Sequence, residues 1–293
     1  MVESSRSRRL AKFGAGLGIS TAIGVSLVGA AQTAGAYEVP VTHWNIKGGC
    51  PDVGGNPIDD GNCGGLESAN YLISQVVNSS NRPWHITLNE VCSPQYLQLV
   101  IYLQNFGYTG LFTYTNPDAS PKCGQHGNAL FTLGSLGGSG TWLFNSQAGE
   151  LDQRKITCKS VSTYVGYRKV CVSHLTNGST TVRDNQDVAA AERATNWAPS
   201  YPTIAGLDRN SNSRPNHWAA SYKELDNTNN GFGRGTFQSF ALTRGKVDWV
   251  WGSFNGNTGF GGSTVDCALG GMSSVAGRYL SDHCLLRGSF TNQ

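Results

Sequence analysis

Short apolar runs in this chain stop, again and again, on residues that can do chemistry. "VTHWN" ends at Asn45, "WHITLNE" at Glu90, "KVCVSH" at His174, and "PTIAGLDRN" at Asp208 and Asn210. "YLSDHC" sets Asp282 and His283 just ahead of a closing strand. Runs this short, rich in Val, Ile, Thr and Trp, read as strands. Strand ends in a layered sheet converge on one rim, and a rim of that kind is where sites are built. "KVDWVWG" adds a charge, Asp248, inside a strand. A buried charge needs a partner, and His283 is the natural candidate.

Helices alternate with these strands in the first half. "ESANYLISQVVNSS" puts Ala69, Leu72, Ile73, Val76 and Val77 on one helical face. "PQYLQLVIYLQNF" reads as a helix with Ser93 as N-cap, Pro94 at its first position and Gly107 at its end. "DNQDVAAAERATNW" reads as a third, capped by Asp184 or a neighbour. Strands dominate later, which predicts an α/β mixed-sheet or layered sandwich fold.

The first 36 residues differ in kind from the rest. Arg6, Arg8, Arg9 and Lys12 precede an Ala/Gly/Val-rich run from Phe13 to Ala31, and Ala34-Gly35-Ala36 is a small-x-small cleavage site. That is the pattern of a secretory signal peptide, so the expected organisation is a leader over 1–36 and one domain over 37–293. The net charge of +3 belongs to the leader: without its four basic residues and one acid, the 22 Lys+Arg and 19 Asp+Glu become 18 and 18. Charge therefore gives no argument for a nucleic-acid partner. All eight cysteines lie beyond residue 36, and an even number in an exported chain reads as disulfides. In "ITCKSVSTYVGYRKVCV", Cys158 and Cys171 are equidistant from a turn at Tyr164-Val165 and are predicted to pair across a hairpin. Cys50–Cys63 is a plausible local loop, and Cys92–Cys123 with Cys267–Cys284 is what then remains.

The polar set holds carboxylates, two histidines, two asparagines and Arg154, with no nucleophile elbow, no thiol-based zinc spacing and no phosphate-binding glycine loop. Oxygen donors without thiols favour a hard cation. A hard cation with histidine bases suits hydrolysis of a phosphate ester.

"HWNIKGG", "ITLNEVC", "GNALF", "VSHL", "DRN", "KVDWVW" and "LSDHC" occur in this order from about residue 40 to 290. The series resembles the endonuclease/exonuclease/phosphatase superfamily, a deoxyribonuclease I-like group that also includes neutral sphingomyelinases, abasic-site endonucleases and inositol-polyphosphate phosphatases. The resemblance implies a four-layer α/β sandwich of two packed mixed sheets flanked by helices. It implies metal binding by Asn45, Glu90 and Asp282, with Mg²⁺ expected and Ca²⁺ or Mn²⁺ as alternatives. It implies catalytic roles for His174, Asp208, Asn210, Asp248 and His283: Asp248 orients His283, His174 assists at the phosphate, and the Asp-x-Asn pair positions water. Arg154 is similar to a phosphate-binding arginine. Two departures stand out. Leu207 replaces the usual glycine before the Asp-x-Asn pair, and Arg209 replaces its apolar middle residue, where it could reshape the loop or add a phosphate contact. The partner that deoxyribonuclease I gives its first histidine has no clear equivalent, Tyr114 and Asp118 being the nearest polar candidates.

The resemblance thus implies a metal-dependent phosphodiesterase acting on nucleic acid, an endonuclease first, and the leader pattern makes it a secreted one. A phospholipid phosphodiesterase of the sphingomyelinase type is the alternative and would need an exposed aromatic prong, for which Trp249, Trp251, Phe254 and Phe260 are candidates. A phosphomonoesterase comes third, and a non-catalytic module on the same scaffold is a different class again. Arg209, Arg214, Arg234 and Arg244 are candidates for a basic strip on a nuclease. No obligate protein partner is evident.

Overall fold

A computed structural model describes residues 37–46, 66–120, 123–146, 148–213, 216–219, 222–226, 236–238, 244–253, 258–266, 274–275, 278–279, 281 and 283–292. The elements, in chain order, are β1 (Tyr37–Asn45), α1 (Glu67–Val77), β2 (His85–Cys92), α2 (Ser93–Leu103), a 3-10 turn (Gln104–Phe106), β3 (Tyr108–Ser120), β4 (Gly124–Leu133), β5 (Ser135–Leu143), β6 (Lys155–Thr163), β7 (Gly166–His174), α3 (Thr180–Asn196), β8 (Thr203–Asp208), α4 (Asn216–Ala219), β9 (Lys223–Glu224), β10 (Phe237–Gln238), β11 (Arg244–Gly245), β12 (Asp248–Ser253), β13 (Thr258–Asp266), β14 (Ser274–Val275), β15 (Arg278–Tyr279) and β16 (Leu285–Asn292). Twelve of the strands form two six-stranded sheets, ordered β13-β16-β1-β2-β4-β3 and β5-β6-β7-β8-β12-β9, and the short pairs β10-β11 and β14-β15 form two small ones. Each sheet is mixed: β1 and β2 run parallel, as do β7 and β8, among otherwise antiparallel neighbours.

Period-two alternation sorts side chains into layers. Trp44, Ile86 and Leu88 point outward and pack with Leu72 and Val76 of α1 and Leu99 of α2. Leu207, Trp249 and Trp251 point to the other outside, where Ala190 and Ala194 of α3 and Trp218 of α4 cover them. Val39, Val41, Ile204, Val250 and Phe290 meet between the sheets. The result is the expected four-layer sandwich. Along the inner faces the chemistry then changes. Val39 and Val41 give way to His43 and Asn45 on β1, and Ile204 gives way to Gly206 and Asp208 on β8. One end of the inter-sheet core is thus polar although it stays buried.

The local predictions hold with shifts of register. Cys158 lies directly opposite Cys171 and is bonded to it, and Cys92 is bonded to Cys123. Cys284 is also disulfide-bonded, whereas Cys50, Cys63 and Cys267 lie outside the described residues. The cap of α2 is Cys92, not Ser93: its backbone N–H is taken by Gln95 Oε1 at 3.0 Å. Gly107 ends that segment with φ +85°, a left-handed conformation that glycine adopts without strain. α3 starts at Thr180 with Ser179 as its cap, ahead of the expected Asp184. Among the described residues no helix is long and apolar enough to cross a membrane.

Candidate active site

Sheet register alone sets most of the site. In the second sheet His174 is the register partner of Asp208, and Asp208 of Asp248, so three strand ends deliver one row of titratable groups. In the first sheet Asn45 is the partner of Asn89. The two rows face each other across the polar end of the inter-sheet layer.

Asp208 is the point where they meet. Its Oδ2 accepts from Asn45 Nδ2 at 2.9 Å and lies 3.4 Å from His174 Nε2 and 3.7 Å from His283 Nε2. Its Oδ1 accepts from the backbone N–H of Asn210 at 2.9 Å, and its own N–H donates to Asn89 Oδ1 at 3.0 Å. Asn89 also donates to Asn128 Oδ1 and to the Ser173 carbonyl. A single asparagine therefore fixes β8 against β4 and β7. Burial, reinforced by the neighbouring Asp248 charge, pushes the Asp208 carboxyl up to about 7, against the opposing pull of His283 and Asn45.

Glu90 reaches the same place by a backbone irregularity. The pairing of β2 with β4 slips between Leu88 and Val91, and Glu90 has φ +54°. A bulge of this kind re-aims a side chain out of the strand alternation. Glu90 Oε1 then accepts from Asn45 Nδ2 at 3.0 Å and lies 3.8 Å from His174 Nε2. Asn210 also holds a positive φ of +50°. Its amide donates to the Leu175 carbonyl at 2.9 Å and stands 3.0 Å from His174 Nε2. Asn210, Glu90 and Asp208 stand beside His174; Tyr114 is not seen there among the described residues, and the side chain of Asp118 lies outside them.

His283 Nδ1 is 2.8 Å from Asp248 Oδ2, the pairing expected from sequence. Its main chain is stapled to β1. Trp44 Nε1 donates to the His283 carbonyl, the His283 N–H donates to Ser281 Oγ, and that hydroxyl donates to the Asn45 carbonyl. Burial opposes ionisation of Asp248, but the imidazoles of His283 and His43 hold its carboxyl well below the usual range. Burial also drives His174 well below the ordinary imidazole value, and nearby Arg154, His126, His283 and His43 add to the effect. His174 is therefore a neutral ring.

A cation fits this donor set. The ligand atoms of Glu90, His174 and Asp208 all lie within 4.8 Å of one another, as do those of Asp208, Asp248 and His283. Carboxylate and imidazole donors without thiolate suit a hard divalent ion. A buried carboxyl held near 7 is also what an Asp beside a second carboxylate becomes before a cation balances its charge. Asp282 lies outside the described residues.

Two expectations change. Arg209 is not a phosphate ligand or part of a basic strip: it is buried, donates from Nε to Asp187 Oδ2 at 2.7 Å and from Nη1 to the Ser213 carbonyl, and lies over the Trp249 ring. Arg214 and Arg234, like the side chain of Arg244, lie outside the described residues. Trp249 and Trp251 are fully buried and stack on each other, so neither forms a prong. Phe254 and the side chain of Phe260 lie outside the described residues. Arg154 lies near the site, ion-paired with Glu150 and Asp152, the latter also facing His126, and its buried Nη1 has no hydrogen-bond partner among the described residues. Asn89, Asn128, His126 and His43 were not singled out from sequence. For His43 the signal existed, since it stands two residues before Asn45 and so faces the same way.

No family model matches the chain, and no curated protein sequence does. Solved structures do match. A humanized D. rerio TDP2 carrying 14 mutations superimposes with a TM-score of 0.65 at 15% identity, covering 87% of this chain and 99% of that one. The human Nocturnin catalytic domain with bound sulfate gives 0.61 at 19% identity, over 86% and 93%. An endonuclease/exonuclease/phosphatase family protein from Bacteroides thetaiotaomicron gives 0.64 at 14% identity, over 88% and 96%. At such low identity it is the arrangement of strands and helices that is shared, and on that ground the chain has the endonuclease/exonuclease/phosphatase, deoxyribonuclease I-like fold.

Proposed function

We propose that this chain is a secreted, divalent-metal-dependent phosphodiesterase, and that its substrate is nucleic acid cut internally. The observation that carries this is the convergence on Asp208 Oδ2 of Asn45, His174 and His283, delivered by separate parts of both sheets. Sequence-distant groups are rarely buried together at this density of charge without a task.

Each residue then has a chemical role. Asp248 holds the Nδ1 proton of His283, so that Nε2 is the nitrogen that takes a proton from water. Asp208 and Asn210 orient that water and the phosphate. His174, kept neutral, donates a hydrogen bond to a phosphoryl oxygen, and the open Nη1 of Arg154 offers a second donor. Glu90, with Asn45 and Asp282, would hold a divalent cation, Mg²⁺ for preference, whose charge offsets that developing on the phosphoryl oxygens. One solved neighbour supports nucleic acid as the substrate class: a D. rerio TDP2 complexed with a single-strand DNA product. The leader pattern over 1–36 and the disulfides Cys92–Cys123 and Cys158–Cys171 support export. With Trp249 and Trp251 in the core, nothing among the described residues favours a phospholipid.

The test uses purified protein on supercoiled plasmid DNA, with Mg²⁺ and with EDTA, beside a His283→Ala control. Conversion to nicked and linear forms that needs both metal and His283 supports the reading. Cleavage by His283→Ala at the wild-type rate overturns the site, and inert DNA with active sphingomyelin vesicles moves the substrate class. Mass spectrometry of secreted material checks for a chain starting at Tyr37.

A further inference from the structure

His43 Nε2 and Asp248 Oδ1 face each other at 3.6 Å, with both side chains fully buried. Neither atom has a hydrogen-bond partner among the described residues. Two orphans, one able to donate and one able to accept, are thus poised just beyond bonding distance. The other nitrogen of His43 is engaged: Nδ1 lies 2.9 Å from Thr87 Oγ1. A threonine hydroxyl donating to Nδ1 leaves the ring proton on Nε2, pointing at Asp248; this tautomer is assigned from the partners. Space for the pair is made on the facing strand, where a Cβ on Gly206 would fall 2.0 Å from Thr87 Oγ1 and 2.7 Å from His43 Nδ1.

Packing does not explain the residue. His43 follows Val39 and Val41 along one face of β1, and those pack in an aliphatic layer. An apolar residue there would avoid a buried, unsatisfied polar atom, which costs about 1–3 kcal/mol. What His43 does reach is the carboxylate oxygen that His283 leaves open, since His283 Nδ1 takes Oδ2. The main chain of Asp248 is held separately, its N–H donating to Thr236 Oγ1.

We infer that His43 is a positioning residue for His283: it holds Asp248 by Oδ1 from between the sheets, so that Oδ2 stays on His283 Nδ1 and the His283 ring keeps Nε2 toward Asp208. Thr87, His43, Asp248 and His283 form one line of polar groups from the inter-sheet core to the site, hydrogen-bonded at its two ends and 3.6 Å apart between His43 and Asp248. The kinetic consequence rests on the phosphodiesterase reading; the orientation of His283 does not.

The test therefore has two arms on the full chain. Imidazole ¹⁵N–¹H correlation spectra follow the His283 Nδ1 proton, expected downfield because it is shared with a carboxylate. His43→Leu and Thr87→Val should move or broaden that resonance, and His43→Gln, which keeps a donor near Nε2, should preserve it. In DNA cleavage His43→Leu should lower kcat by roughly ten- to a hundred-fold, the scale of an outer-shell partner, with KM and Mg²⁺ dependence kept. The same substitution should add nothing in a His283→Ala background. An unmoved His283 resonance in folded His43→Leu overturns the inference, as does an equal loss in both backgrounds, which would mark a merely structural role. Should His43→Leu fail to fold, the near-isosteric Thr87→Val decides the same question. Failure to cleave DNA at all counts against the proposed substrate and leaves the spectra to judge His43.

Discussion

The guanidinium of Arg209 donates from Nε to Asp187 Oδ2 at 2.7 Å and so ties the turn between Asp208 and Asn210 to the buried face of α3. Asp187 also accepts from Trp218 Nε1 at 2.7 Å and lies 3.3 Å from His217 Nε2. Burial works against its charge, but His217 and Arg209 together hold the carboxyl below its usual range. Removing one member of a buried pair strands the other charge, at a cost of about 3–5 kcal/mol. Arg209→Met should therefore destabilise the protein by that order in urea unfolding. Arg209→Met with Asp187→Leu should recover most of the loss. Since Arg209 sits between two residues of the site, the double variant should stay impaired in cleavage while its stability returns.

Asn45 and Asp208 should separate stability from activity. Asp208 is buried with its carboxyl raised to about 7. A carboxyl whose folded pKa is raised contributes stability below its unfolded value of 3.8 and loses it as pH climbs through 7. At pH 8 the metal-free protein therefore carries a buried charge that Asp208→Asn removes. That variant should melt at a higher temperature than wild type at pH 8 in EDTA, with the difference shrinking toward pH 4. Its DNA cleavage should fall by roughly 10²–10⁴-fold. Asn45→Ala should match the loss of cleavage without the gain in melting temperature.

The pattern of apolar runs ending in polar residues made the site legible because a strand's last residue is also its rim residue. Asn45, His174 and Asp208 close β1, β7 and β8, and each was found that way. Asp248 was legible for a different reason, as a charge that a strand interior could not tolerate unpaired. Glu90 was recognised although its orientation depends on a bulge that no periodicity reveals. Arg209 was misjudged because its sequence neighbours are the site, whereas its side chain turns the opposite way; direction is set by the turn, not by adjacency. His43 and Asn89 were passed over because their function depends on partners 205 and 119 positions away, on Asp248 and Asp208, and such pairings follow from sheet order alone. The helix caps shifted by a few residues, as ends decided by one side-chain hydrogen bond do.

The Cys158–Cys171 bond joins directly opposed residues of β6 and β7, 13 positions apart in sequence. Closing a loop of this size restricts the unfolded chain, worth about 3 kcal/mol in the chain-entropy account. Cys158→Ala with Cys171→Ala should lower unfolding free energy by about that amount. Both positions belong to the core under α3, so smaller side chains there add a packing loss. Cleavage measured well below the new melting point should be nearly unchanged, because His174 lies three residues beyond Cys171 in a strand still paired on both sides.

His85 gives the protein a specific weakness to acid. Its ring is fully buried on β2, with Nδ1 2.8 Å from Thr132 Oγ1. Burial, aided by the Arg168 charge, lowers its pKa from 6.5 to about 3. Between those values the unfolded chain binds a proton that the native chain refuses, so stability rises with pH across the window and is complete above 6.5. Acidifying from pH 6.5 to 4.5 should therefore cost of the order of 2 kcal/mol through His85 alone. His85→Gln keeps an amide able to reach Thr132 but does not titrate. Unfolding free energies at the two pH values should differ less in His85→Gln than in wild type by about that amount. An identical pH dependence in both proteins would place the acid sensitivity elsewhere.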